Sequence, residues 1–315
     1  MPDSTLRIDL LVPIFNDSSK LPNFFQEFLR IREMLKSKLE LTLVMVDDGS
    51  QDDSVAEISK YGHLHKGITL IELSRNFGKE AALFAGISNS NADALILLDV
   101  DLQDPIDLVP RLVESWMTTG CDTVIARRSQ NRNAENGLRR KISRLYLGIF
   151  NKLSSIQIDA NVGETRLIDA KMISAFKQLE ESSRFTRGLL HWLGFKTEFI
   201  EFDRLNSPEK SRFGFKRLIK LAIDGITSFS IKPLRLVTIL GFLGSATSVI
   251  LGLVVVLLRV FEVVSIPGYS STIIVILFGS SIQLFSMGIL GEYIGKNLEE
   301  SKKRPVFIAR NVFKF

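Results

Sequence analysis

The sequence has 315 residues, of which 45% are hydrophobic and 24% charged, and its 40 basic and 35 acidic residues give a formal net charge of +5. Its single cysteine, Cys121, excludes an intrachain disulfide and a cysteine-based zinc site, and the three histidines show no metal-ligand spacing. The modest positive charge suits phosphate groups and anionic lipid headgroups, and no nucleic-acid-binding motif accompanies it, so we expect no nucleic-acid partner.

Residues 8–98 alternate apolar runs with helical patterns. Four runs predict buried strands: Ile8–Ile14, Leu41–Val46, Ile68–Leu73 and Ala94–Leu98. Apolar residues at helical spacing predict the helices between them: Leu21–Lys38, Ser54–Tyr61 and Lys79–Ser88. This alternation predicts an α/β fold with a mostly parallel sheet, whose ligands bind beyond the carboxyl ends of the strands.

Two acidic clusters follow predicted strands. Asp99 and Asp101 come directly after an apolar run and predict a site for Mg2+ or Mn2+, with a diphosphate supplying further oxygen ligands. Asp47 and Asp48 precede Gly49, and a carboxylate at such a turn can accept a hydrogen bond from a nucleobase. Each cluster also has a simpler interpretation, because Asp-x-Asp is a common pattern and acids after a strand often cap the next helix.

The C-terminal part contains two runs without charge, Leu236–Leu258 and Val263–Gly291, which predict a transmembrane helical hairpin. Basic residues outside the runs, and a polar N-terminus without an apolar signal region, predict that the N-terminal domain and both termini are cytoplasmic. Residues 213–234 predict an amphipathic interfacial helix, and small residues in the first run permit a homo-oligomer. The alternatives are a buried helix pair in a soluble core and a surface helix packed on the sheet.

Four motifs follow one another in a characteristic order: Val12–Asp17, Val46–Ser50, Arg75–Lys79 and Asp99–Pro105. They resemble those of family 2 glycosyltransferases, and more narrowly the polyprenyl-phosphate hexosyltransferases related to dolichol-phosphate mannosyltransferase. The resemblance implies a GT-A-type, mostly parallel sheet with flanking helices, followed by interfacial helices and a two-helix transmembrane hairpin. It implies four regions, which are a cytoplasmic catalytic domain (1–212), a juxtamembrane amphipathic region (213–234), two transmembrane helices (235–295) and a cytoplasmic C-terminal tail (296–315).

The same resemblance implies roles for individual residues. Asp99 and Asp101 bind the metal and act in catalysis, and Asp159 and Glu164 are candidate acid or base residues. The donor nucleotide sugar is contacted by Pro13, Phe15, Asp17, Asp47, Asp48, Lys79, Asp99, Asp101, Gln103 and Arg212. The acceptor phosphate is bound by Arg127, Arg139, Ser143 and Arg166, and the neighbouring Arg128 and Arg140 are the alternatives for the first two arginines. Asp17 stands where the family usually has glutamate, and the loop that contains Arg212 lacks the family's glycine.

The implied reaction is metal-dependent transfer, with inversion, of glucose from UDP-glucose to polyprenyl (undecaprenyl) phosphate at a bacterial inner membrane. Mannose from GDP-mannose and a modified pentose from a UDP donor remain open alternatives. A processive polysaccharide synthase is disfavoured because the chain lacks a Gln-x-x-Arg-Trp motif. A Rossmann dehydrogenase is disfavoured because no Gly-x-Gly-x-x-Gly follows the first strand, and a non-catalytic membrane scaffold because both acidic clusters are intact.

Overall fold

A computed structural model describes residues 6–129, 161–181, 184–203, 232–261 and 268–315. The chain divides into two compact units, one formed by 1–147, 158–212 and 304–315 and the other by 148–157 and 213–303. The sequence-predicted site residues that lie outside the described residues are Arg139, Ser143, Asp159 and Arg212. The predicted interfacial helix also lies outside them, except for 232–234.

The described part of the first unit is built on one eight-stranded sheet. Its strands are β1 (Arg7–Ile14), β2 (Glu40–Asp47), β3 (Ile68–Leu73), β4 (Ala94–Leu97), β5 (Thr123–Arg128), β6 (Val162–Asp169), β7 (Thr197–Phe202) and β8 (Ala309–Lys314). They are ordered β7-β5-β6-β4-β1-β2-β3-β8. The pairs of β1 with β2, β1 with β4, β2 with β3 and β5 with β7 are parallel, whereas β6 is antiparallel to both of its neighbours and β8 is antiparallel to β3.

Six helices accompany the sheet in the described residues of this unit: α1 (Leu21–Leu35), α2 (Ser54–Leu64), α3 (Lys79–Asn89), α4 (Leu108–Thr119), α5 (Ala170–Lys177) and α6 (Thr186–Trp192). A short 3-10 turn, Ser18–Lys20, precedes α1. The helix α1 buries one face that contains Phe24, Phe25 and Phe28, as helical spacing predicts. The predicted α/β class is confirmed, and strands β1 to β4 match the predicted strands to within one residue at each end.

A buried carboxylate ties three elements together near the amino ends of the parallel strands. Asp9 in β1 is fully buried. The hydroxyl of Ser90 donates to its Oδ2 at 2.6 Å, and the hydroxyl of Thr42 donates to its Oδ1. The Arg7 guanidinium lies 3.2 Å from Oδ1. Both carboxylate oxygens therefore have partners, which a charge buried inside a protein requires.

The second unit contains two long helices, α7 (Lys232–Val260) and α8 (Tyr269–Ser301), which contact each other. They expose large apolar side chains, among them Phe242, Phe278 and Leu284. In the described ranges, however, no helix combines the length and the apolar character that crossing a membrane requires. The transmembrane hairpin therefore stays a prediction.

Strand β8 was not predicted from the sequence and lies within the segment interpreted as a tail. It pairs with β3 from Thr69–Lys314 to Leu73–Ala309. Asn311 donates to the carboxylate of Glu72 at 2.7 Å, and the carbonyl of Phe315 accepts from the amide of Gly67 at 2.9 Å. Residues 309–315 thus extend the sheet of the first unit.

Candidate active site

Parallel strands deliver the predicted site residues to one edge of the sheet. Because β1, β2 and β4 are parallel, the residues that follow them, including Phe15, Asp48 and Asp99, lie at the same edge. β3 is parallel to β2 and adds residues 75–79. β6 runs in the opposite direction, so its first residues, including Glu164, also lie there. The sheet therefore brings together segments that are far apart in the sequence.

An open cleft of about 500 Å³, a volume that includes its solvent-filled mouth, lies at this edge. Its walls are formed by Asp99, Asp101, Gln103, Asp104, Arg128, Val162, Gly163, Glu164 and Arg187. The backbone amide of Gln103 donates to the Asp101 carboxylate at 3.1 Å, which orders the turn after β4. The cleft combines carboxylate oxygens, which bind cations, with guanidinium groups, which bind phosphate.

Lys79, the first residue of α3, connects two carboxylates of the cleft. Its Nζ lies 2.7 Å from Oδ1 of Asp99 and contacts Oε2 of Glu164. Burial disfavours the charged amine, but the negative charges and hydrogen bonds of Asp99 and Glu164 outweigh this effect and raise the pKa of Lys79. Lys79 is therefore positively charged, and it lies beside the predicted metal ligands.

Arg128 and Asp104 form a second ion pair on the wall of the cleft. The Arg128 guanidinium lies 3.5 Å from Oδ1 of Asp104, and the hydroxyl of Thr165 donates to Oδ2 at 2.8 Å. Arg127, the predicted acceptor residue, is not among the lining residues. Its guanidinium lies 5.9 Å from the ring of Phe199 on the neighbouring strand β7. Successive residues of a strand point to opposite faces, which explains why the two arginines differ.

Arg166, a predicted ligand of the acceptor phosphate, is only 2% exposed. Its guanidinium donates to the backbone carbonyls of Gly163 at 3.1 Å and Glu164 at 3.3 Å. Burial and the positive charge of Arg187 lower the pKa of Arg166 to about 10. In this conformation Arg166 supports the wall of the cleft through its backbone and does not reach the solvent.

Asp48 is buried, and both of its oxygens hold the loop after β3. The amide of Phe77 donates to Oδ1 at 2.7 Å, and the amide of Gly78 donates to Oδ2 at 2.9 Å. Burial raises the pKa of Asp48, and these two hydrogen bonds oppose that rise. Gly49 allows this close approach, because it has a φ of 72° and a Cβ there would lie 2.6 Å from the backbone of Arg75.

Four other predicted donor-binding residues within the described ranges, Pro13, Phe15, Asp17 and Asp47, lie in β1 and β2 or the loop after β1 and do not line the cleft. Phe15 is 44% exposed after β1, and Pro13 lies within that strand. The carboxylate of Asp17 lies 2.7 Å from Nζ of Lys20. Asp47 is buried and accepts from the amide of Ser50 at 3.1 Å, and burial raises its pKa. Hydrogen bonds join the loops after β1 and β2, such as Asn16 to Ser50 at 2.9 Å.

Four residues that line the cleft were not predicted as site residues: Asp104, Val162, Gly163 and Arg187. Arg128, which also lines it, was a candidate only as the neighbour of Arg127. Asp104 carried a signal, because it belongs to the Asp99–Pro105 motif. Arg187 carried none. It reaches the cleft from α6, far along the chain, and only the fold brings it there.

Comparison with known proteins identifies the family. A family model described as Glycosyl transferase family 2 matches residues 9–176. The fold is that of a GT-A-like enzyme that transfers a sugar. The chain belongs to glycosyl transferase family 2, as its motifs predict.

Two curated relatives match over nearly the whole chain. The "Prophage bactoprenol glucosyl transferase homolog" of Escherichia coli (strain K12) is 38% identical over 310 residues, which cover 98% of this chain and 100% of that protein. The "Bactoprenol glucosyl transferase" of Shigella phage SfV is 36% identical over 307 residues, 97% of this chain and 99% of that protein. Among solved structures, the mannosyltransferase PcManGT of Pyrobaculum calidifontis, in complex with GDP-Man and Mn2+, is 13% identical. The match covers 97% of this chain and 86% of the PcManGT chain, with a TM-score of 0.49.

Proposed function

We propose that the chain is a membrane-anchored, inverting transferase that moves glucose from UDP-glucose to a polyprenyl phosphate such as undecaprenyl phosphate. The observation that carries the proposal is the cleft, in which carboxylates that suit a cation lie together with Arg128 and Arg187, which suit phosphate. The names of the near-full-length relatives support glucose as the sugar and bactoprenol as the lipid.

The cleft fits a divalent cation, Mg2+ or Mn2+, held by Asp99 and Asp101. In the described ranges, no group of three or more histidine, cysteine, aspartate or glutamate side chains could hold a metal ion alone. Two carboxylates suffice when the diphosphate of the donor supplies further oxygens. The Lys79 ammonium beside Asp99 supports this fit, because that carboxylate already binds a positive group. When bound, the cation would stabilise the negative charge that develops on the leaving nucleoside diphosphate.

The donor nucleoside is assigned to the loops after β1, β2 and β3. Phe15 offers an exposed aromatic ring, and Asp48 fixes the backbone of the loop that leads to Lys79. Pro13, Asp17, Asp47, Gln103 and Arg212 complete the assignment by resemblance to the family. Lys79 is suited to bind the diphosphate because it is a charged, flexible point donor.

The nucleophile is an oxygen of the lipid phosphate, which is largely anionic near neutral pH and needs orientation more than deprotonation. Arg128 and Arg187 are the guanidinium groups that line the cleft. Arg127, Arg139 and Ser143 are assigned to the same phosphate by resemblance, and Arg166 supports the cleft wall from beneath. Glu164 and Asp159 remain the candidates for an acid or base.

Membrane attachment is assigned to the second unit. Its two helices expose large apolar side chains, and the runs Leu236–Leu258 and Val263–Gly291 carry no charge. An insoluble lipid acceptor also calls for catalysis at a bilayer surface. We propose two spans in a bacterial inner membrane, with the catalytic unit and both termini cytoplasmic and with small residues in the first run permitting a homo-oligomer.

The experiment is a panel of radiolabelled nucleotide sugars, each supplied to the purified full chain in liposomes that contain undecaprenyl phosphate. We expect labelled lipid from UDP-glucose, and loss of the label on addition of EDTA. Transfer from GDP-mannose or a UDP-pentose instead would redirect the donor assignment. Absence of transfer from every donor, despite donor binding, would overturn the proposed activity in favour of a non-catalytic protein.

A further inference from the structure

The position of Lys79 is fixed by its backbone rather than by its side chain. Gly78, which precedes it, has a φ of 99° that favours glycine, and its amide donates to Asp48 at 2.9 Å. Lys79 then begins α3. The start of its side chain is therefore held in place, while its flexible four-carbon stem leaves the ammonium group free to move. The side chain is 43% exposed, so it has space for such movement.

The ammonium group bridges two carboxylates from different elements. Asp99 follows β4 and Glu164 belongs to β6, and both contact Nζ of Lys79. Asp104, another acid of the cleft, already has Thr165 and Arg128. The charge of Asp99 is thus compensated by a cation from within the protein.

A divalent cation bound to the Asp99 carboxylate would repel the ammonium group of Lys79, because like charges a few ångströms apart repel strongly in a partly buried site. We propose that Lys79 is an exchangeable internal cation, which offsets one of the two negative charges of Asp99 and Glu164 before the metal binds and moves to the diphosphate of the donor when the metal arrives. This inference rests on the metal assignment of the proposed function and goes beyond it, because it makes Lys79 a competitor of the metal as well as a ligand of the donor.

If Lys79 both competes with the metal for Asp99 and binds the donor diphosphate, the affinities for Mn2+ and for UDP should depend on each other. Without nucleotide, Lys79 weakens metal binding because the ion must displace it from Asp99. With nucleotide, the diphosphate offers Lys79 a new partner, so the penalty disappears. Binding of UDP should therefore tighten Mn2+ binding, and by reciprocity Mn2+ should tighten UDP binding by the same factor.

The test is Mn2+ binding to the purified full chain, measured from the electron paramagnetic resonance signal of the free ion with and without UDP. Lys79→Met and Lys79→Gln remove the charge. Lys60→Met is the matched control, since Lys60 pairs with Glu57 on the surface of α2 and does not line the cleft. Circular dichroism establishes that each variant is folded, and the two neutral variants must agree.

We expect both neutral variants to bind Mn2+ alone about tenfold more tightly than the unchanged protein, within the usual range of coupling energies. We also expect UDP to tighten Mn2+ binding much less in these variants, and Lys60→Met to behave as the unchanged protein does. Equal or weaker Mn2+ binding by the folded neutral variants would overturn the exchange while leaving the proposed function intact. Failure of the unchanged protein to bind Mn2+ even with UDP would instead overturn the metal assignment, and the exchange with it.

Discussion

Two aspartates, one in β1 and one just after the neighbouring parallel strand β4, have different environments. Asp9 lies near the amino end of β1, fully buried, and the hydroxyls of Thr42 and Ser90 and the guanidinium of Arg7 contact its oxygens. Asp99 follows β4 at the carboxyl end, is 43% exposed and faces the movable charge of Lys79. In one sheet, therefore, Asp9 contributes to the stability of the fold, whereas Asp99 lies where a ligand can bind. A carboxylate whose partners are fixed holds the fold, and one whose partner can leave is able to bind a ligand.

Asp99→Asn is expected to have the largest effect on sugar transfer, and it tests the contrast between Asp99 and Asp9 directly. The substitution removes a metal ligand, so sugar transfer should fall by about 10³-fold, equivalent to about 4 kcal/mol of transition-state stabilisation. The free energy of unfolding should change by less than about 1 kcal/mol, because the two side chains of the ion pair with Lys79 are each 43% exposed and solvent screens their charges. Initial rates with UDP-glucose and denaturant titrations measure the two quantities. A variant that retains more than a tenth of the activity would break the contrast.

The reverse outcome is expected from Asp9→Ala. The alanine leaves the hydroxyls of Thr42 and Ser90 without their buried acceptor, so the free energy of unfolding should fall by about 3 kcal/mol. The folded variant should keep its rate of sugar transfer, because Asp9 lies at the other end of the strands from the cleft. Urea denaturation measures the loss of stability. Unchanged stability, or a loss of transfer without a loss of stability, would remove the distinction.

An intermediate case is Asp48, which is buried like Asp9 but lies at the catalytic end. Asp48→Asn supplies one acceptor oxygen for the two amides of Phe77 and Gly78, so we expect a loss of about 2 kcal/mol. The loop before Lys79 should also loosen, and transfer should fall with it. Asp53→Asn is the matched control, since the side chain of Asp53 makes no capping hydrogen bond. Equal stability of the two variants would contradict the role given to Asp48.

The smallest effect is expected for Asp52, an exposed carboxylate in the loop after β2. Burial opposes its ionisation, but hydrogen bonds from Ser54 and Ser18 outweigh this and lower its pKa from 3.8 to about 2. Because the folded state favours the charged form, its contribution to stability is present above pH 3.8 and is lost as the pH falls towards 2. Exposure limits the contribution to less than about 1 kcal/mol.

The measurement for Asp52 is the free energy of unfolding from pH 5 to pH 2. Asp52→Asn should flatten part of the decline between pH 4 and pH 2 and leave the curve above pH 5 parallel to that of the unchanged protein. A decline of the same slope in both proteins would mean that other carboxylates account for it.

The first half of the fold could be predicted because its signals are local. The apolar runs of β1 to β4 and the helical spacing of Phe24, Phe25 and Phe28 depend on neighbours in the sequence. Strand β8 could not be predicted in this way. It is short and contains Arg310, Asn311 and Lys314, and its pairing with β3 joins residues that lie more than 200 positions apart, such as Asn311 and Glu72.

Among the residues of the candidate site, Asp99, Asp101 and Glu164 could be predicted, but their partners could not. Asp99 and Asp101 follow an apolar strand, and such a position is recognisable from the sequence. The bridge from Lys79 to Asp99 and Glu164 depends on how three elements meet, and no spacing encodes it. Sequence reasoning assigned Asp48 to the nucleoside, whereas the structure shows both of its oxygens engaged by backbone amides, because a buried carboxylate takes the nearest donors.

The docking of β8 on β3 has a practical consequence for work with the catalytic unit alone. A fragment cut after residue 203 would lack 309–315, so the amide and carbonyl groups of β3 that pair with β8 would face the solvent. An unpaired edge strand can pair with strands of other copies of the protein, and this edge strand contains the apolar residues Leu70 and Ile71. Fusing 309–315 to the fragment through a flexible linker should restore the pairing with β3 and prevent aggregation.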